Sequence, residues 1–170
     1  GPTVLYSSNL FKHIYTFEPD TVALDYLYKN ISANNINNIT VIEEAVSNEN
    51  GITNFGGNGD LGNSMSTLLV NDIKWNKRVN RFNETLRNQN IISVKTLTIE
   101  TAINKYNIDA NNIALIKIDI EGGELYLIPA MKDFFMKYKP PLYISIHAPP
   151  LNKEELSNII NILKGVYKNM

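Results

Sequence analysis

There is no cysteine in this chain of 170 residues. Disulfides, thiolate zinc sites and a cysteine nucleophile are therefore ruled out, and the composition suits a reducing, cytoplasmic setting. Nor is there an excess of charge of one sign: 16 Lys and Arg against 17 Asp and Glu leave a net charge of −1. No global field draws such a chain to nucleic acid or to an anionic membrane. No run of about 18 apolar residues occurs, so no transmembrane helix is expected. No signal peptide and no internal repeat are visible.

The hydrophobic fraction of 44% and the charged fraction of 19% fit one domain over residues 1–170 with one sizeable core. Frequent Asn and Ile carry no functional message. Apolar spacing predicts a helix over Thr3 to Phe11, with Val4, Leu5 and Ser8 on one face. A strand follows over His13 to Phe17, then a helix from Thr21 to Ile31 capped by Asp20, with Val22, Leu24 and Leu27 inward. Ile39 to Val46 reads as the next strand and residues 47–51 as a turn. Helix alternating with strand implies a parallel α/β sheet.

Residues 52–90 are less regular. They comprise a glycine-rich loop at Gly56 to Gly59, a short strand over Met65 to Val70, and a polar, basic tract from Asn71. Ile91 to Leu97 predicts a strand, followed by a helix to Tyr106 capped by Thr98. Ile113 to Ile120 is nearly all apolar, as expected of a strand buried on both faces. A Gly122-Gly123 turn leads to one helix over Glu124 to Tyr138, ended by Pro140-Pro141. The strand Leu142 to His147 precedes a helix from the cap Asn152 to about Lys164, with Gly165 as C-cap and a new strand at Val166. A helix opening at the first residue and a strand begun at the last read as a domain cut short at both ends.

In open α/β sheets, ligands gather at the carboxyl ends of strands. Glu18, Asp119, Glu121 and His147 all fall at such ends. Glu18 follows Gly1 at close to the spacing of about 20 between a glycine-rich nucleotide loop and a ribose-binding carboxylate. Two carboxylate oxygens suit two ribose hydroxyls. The plain alternative is an acid that complements the next helix dipole.

Glu43 and Glu44 end the next strand, where one can accept from an adenine amino group, or both can be a solvated edge. Ala45 and its neighbours can instead line adenine with backbone groups. Asp119 and Glu121 alternate onto one face of an apolar strand, a costly arrangement that a cationic ligand or a metal would offset. The alternative is capping, with Glu121 and Glu124 welcomed by a helix N-terminus. His147 is either a satisfied core histidine or, beside Asp119, a general base or substrate contact. Ser66, after the glycine-rich loop, can edge the pocket. Lys74, Lys77, Arg78, Arg81 and Arg87 form either a solvated face or a lid over an anionic substrate.

The ordered segments Tyr15-Thr16-Phe17-Glu18-Pro19, Glu44-Ala45-Val46-Ser47, Val94-Lys95-Thr96-Leu97-Thr98, Ile116 to Glu124 and Ile144-Ser145-Ile146-His147 resemble the FkbM-type methyltransferases. The resemblance runs from residue 1 to about 150. It implies a class I methyltransferase (Rossmann-like) α/β fold, mostly parallel, with helices on both faces and without the family's first and last strands. It also implies S-adenosyl-L-methionine as cofactor and transfer to a hydroxyl oxygen of a sugar or small metabolite. Gly1 would be the last glycine of the family's loop, Glu18-Pro19 would hold the ribose, and Asp119 would sit beside the methionine part or the methyl. His147 or Asp119 would serve as base, with Mg²⁺ at Asp119 and Glu121 as another route to the same end. Two rivals stand beside this reading. One is a NAD-type dinucleotide enzyme, disfavoured by the Asp-x-Glu-Gly strand, and the other is a binding module with no catalysis.

Overall fold

Asp20 accepts from the backbone N–H groups of Val22 and Ala23, and the chain turns there from strand into helix. This pattern of a short strand followed by a capped helix organises the computed structural model, which describes residues 2–57, 67–69, 90–120, 122–147 and 152–167. The first half contains helix α1 (Pro2–Ser7), strand β1 (Ile14–Phe17), helix α2 (Thr21–Ala33) and strand β2 (Ile39–Ile42). β1 and β2 run parallel, from Ile14 opposite Ile39 to Phe17 opposite Ile42. Their carboxyl ends therefore meet at one edge.

The run expected as one strand over 39–46 is two. After Ile42 the chain leaves β1, and β3 (Ala45–Val46) pairs instead with β6 (Asn90–Leu97). β6 also binds β4 (Gly51–Gly57) antiparallel along its whole length, and β5 (Thr67–Leu69) lies outside β4. The glycine-rich stretch read as a loop from Gly56 therefore begins as a strand. β5 falls inside the short strand expected over Met65 to Val70.

The second half starts with α3 (Ile99–Tyr106), capped by Thr98 as predicted. β7 (Ile116–Ile118) pairs parallel with β8 (Leu142–Ile144). Among the described residues β1 bonds only β2 and β7 bonds only β8, so the strands form three sheets. β7 is shorter than expected and is not buried on both faces: Ile118 is buried, whereas Lys117 is exposed.

The single helix expected over 124–138 is broken into α4 (Glu124–Ala130) and α5 (Lys132–Tyr138). Pro129 inside α4 has no N–H to bond the preceding turn, and α4 ends at Ala130 with Met131 between the two helices. α6 (Lys153–Val166) opens with a capping box between Asn152 and Glu155. Gly165 lies in its last turn rather than capping it, because the helix continues to Val166 and Tyr167 is the cap. The strand expected at Val166 is thus helix at its first residue.

Ile128, Phe135, Ile159 and Leu163 are fully buried where α4, α5 and α6 converge on β7 and β8. Each such side chain contributes about 1.5–3 kcal/mol over an exposed one. A second cluster joins Ile42, Leu97 and Ala102, and Val46 packs against both. The packing fixes β7 and β8 firmly, and the residues just past each strand are held with them.

Candidate active site

Parallel pairing brings the carboxyl ends of β7 and β8 to the same edge, and one more ladder bond, Ser145 N–H to Ile118 C=O at 2.9 Å, extends the pair. Asp119 follows β7 directly, and His147 lies three residues past the end of β8. His147 Nε2 stands 3.6 Å from Asp119 Oδ1. Lys117, two residues back on the same face of β7, reaches Asp119 Oδ2 at 2.7 Å. Both sequence candidates therefore meet, and the pair is open to solvent, with side-chain exposures of 38% for Asp119 and 27% for His147.

The turn after Asp119 shapes the rest. Gly122 adopts φ +99°, a backbone conformation that side chains rarely tolerate. The reversal places Glu124, the first residue of α4, with its carboxyl facing back toward the strand end. Glu124 Oε1 accepts from the Ile120 N–H at 3.2 Å and lies 3.1 Å from His147 Nδ1. This side chain is fully buried. An acid beginning a helix suggests exposed capping, so sequence reasoning missed it as a member of the site. Its place in the Asp119-to-Glu124 run was the available signal. Lys117 was missed as well, although strand alternation already put it on the face of Asp119.

The β1/β2 edge carries the other acids. Glu18 follows β1, and its N–H continues the ladder to the Ile42 carbonyl at 3.0 Å. Its Oε1 accepts from the Asp20 N–H at 3.0 Å. Burial pushes the Glu18 carboxyl above the usual carboxylate value, and the Asp20 N–H offsets only part of that rise. Glu44 behaves oppositely. Burial would raise it, but the hydrogen bonds from Lys105 Nζ at 2.6 Å and Tyr106 Oη at 2.9 Å outweigh burial and hold it low. Glu43 accepts from the Tyr28 hydroxyl at 2.8 Å. Ala45 is buried in β3 opposite Thr96, and Pro19 is half-buried between Glu18 and the cap Asp20.

Gly1, Ser66, Glu121 and the basic tract from Lys74 to Arg87 lie outside the described residues. Among the described residues, no group of three or more His, Asp or Glu side chains is arranged to hold a metal ion. No helix among them is long and apolar enough to cross a membrane.

A family model described as the methyltransferase FkbM domain matches residues 3–168. The chain belongs to the FkbM methyltransferase family. A solved structure, methyltransferase FkbM from Methylobacillus flagellatus KT, superposes with a TM-score of 0.59 at 16% identity. The superposition covers 99% of this chain and 35% of that one. At that identity the likeness speaks for the fold, and this FkbM chain spans about a third of the length of that relative. The chain matches no curated protein sequence. FkbM membership and the α/β fold agree with the resemblance read from the sequence.

Proposed function

We propose that this protein transfers a methyl group from S-adenosylmethionine to a hydroxyl oxygen of a sugar or small metabolite in the cytoplasm. The observation that carries the proposal is the Asp119–His147 pair at the shared carboxyl edge of β7 and β8, inside an FkbM domain. The residues present fit the cofactor. Glu18 is a half-buried acid whose raised pKa marks a desolvated carboxylate, the state a vicinal diol relieves by donating to it. Glu18 with Pro19 would hold the ribose, and the chain at Glu44 and Ala45 would edge the adenine.

When bound, the cofactor supplies an electrophilic methyl carbon on a sulfonium. The chain's own part is to orient the acceptor and to remove its proton. Alignment alone can contribute roughly 7–11 kcal/mol, and a positioned base about 10²–10⁴-fold. His147 would take the acceptor hydroxyl's proton at Nε2, leaving the oxygen free to accept the methyl group. Asp119, held by Lys117, then faces the resulting imidazolium.

Two measurements on the intact protein test this. S-adenosylhomocysteine raises the melting temperature whereas NAD does not, and His147→Ala lowers turnover at least roughly 10²-fold. Stabilisation by NAD alone would point to a dinucleotide enzyme. Undiminished turnover in His147→Ala would remove the histidine from the chemistry.

A further inference from the structure

We infer that Glu124 is a positioning residue for His147, one that orients the ring and sets which ring nitrogen carries the proton. The inference rests on His147 being the base proposed above. Three observations point to it. Glu124 is fully buried, although it begins a helix, where an acid serving only the helix dipole would sit in water. Its Oε1 reaches away from α4, to the Ile120 N–H at 3.2 Å and to His147 Nδ1 at 3.1 Å. Its Oε2 is buried with no hydrogen-bond partner. A carboxylate withdrawn from water without a counter-charge is costly, and His147 is the side chain in contact with it that can take up a positive charge.

An ionised Glu124 carboxylate can only accept, as it does from the Ile120 N–H, so His147 Nδ1 is the donor in their contact. A neutral ring that is protonated at Nδ1 is bare at Nε2. Nε2 is the nitrogen turned toward Asp119 and partial exposure. When Nε2 gains a proton, the imidazolium lies between two carboxylates, Glu124 at 3.1 Å and Asp119 at 3.6 Å. Lys117, bonded to Asp119 at 2.7 Å, tempers the second of these. Glu124 therefore acts through the histidine, without touching the acceptor. By bonding the Ile120 backbone as well, it ties the exit of β7 to the residue beyond β8.

The test uses the intact protein. Long-range ¹H–¹⁵N correlation spectra of wild type show the neutral His147 ring protonated at Nδ1, a measurement that needs no variant to fold. Glu124→Gln keeps the side-chain shape and removes the charge. It weakens the bond from His147 Nδ1–H, moves that proton's resonance upfield, and lowers kcat at least roughly tenfold. The acceptor KM stays within about twofold, because Glu124 does not contact the acceptor. A wild-type ring protonated at Nε2, or an Nδ1 proton resonance unmoved in Glu124→Gln, overturns the inference. Full turnover in His147→Ala would instead sink the base assignment, while the wild-type ring's tautomer and Nδ1 proton resonance would still report on Glu124 directly.

Discussion

Glu18 and Glu44 leave adjacent parallel strands at the same edge, yet their surroundings drive them in opposite directions. Glu18 has a folded-state pKa above its unfolded value near 4.5. The folded state then holds the proton longer, so stability falls as pH climbs from the unfolded value through the raised one, and the deficit persists above both. Glu18→Gln should raise the melting temperature at pH 7, lose that advantage below about pH 4, and weaken S-adenosylhomocysteine binding roughly 10-fold or more. Melts at both pH values and calorimetry check this. Glu44 is depressed, so its contribution is present above the unfolded value and disappears as pH falls through the folded one. Lys105→Met should lower the melting temperature at neutral pH, with the gap closing under acid. Asp119 was legible because the strand end announces itself through the glycines that follow, whereas the strand expected over Leu142 to His147 ends at Ile144 and His147 lies three residues beyond it. Glu124 was legible only as a helix-start acid, since its burial depends on packing against a strand end 23 residues away in sequence.

Caps were the most readable elements. Asp20, Thr98 and Asn152 each accept from the backbone of the helix they precede, as their spacing implied. Asp20→Ala should destabilise by about 1 kcal/mol in denaturant melts, because Asp20 is buried and accepts from two N–H groups. Interruptions were harder to read. Apolar periodicity continues through Pro129, so the break at Met131 is hidden in it, although a proline inside a helix is itself the warning. β4 was obscured by Gly56 and Gly57, which have poor strand propensity. What makes it a strand is β6, which supplies a partner from Gly51 opposite Thr96 to Gly57 opposite Asn90. Such pairing is non-local, and a local reading cannot see it.

At the scale of the whole chain, the helices α4 to α6 form one tightly buried cluster, and the strands next to it inherit their positions from that cluster. Phe135 is fully enclosed and stacks edge-on with Phe134 at 5.9 Å between ring centres. Phe135→Ala should cost about 3–5 kcal/mol in chemical denaturation, and turnover should fall with it as β7 and β8 lose their support. The parallel α/β class followed from the alternation of helix and strand. The division into three sheets did not, because hydropathy fixes which residues are inside and says little about which strand bonds which. That division has a physical consequence. Among the described residues β1 and β7 each pair with a single neighbouring strand, so the main-chain amides and carbonyls on the other side of each enter no ladder there. Such rims zip onto one another without regard to side-chain identity. At high concentration, copies of this chain would adhere along these rims, and light scattering would grow with concentration while added salt did little to disperse them.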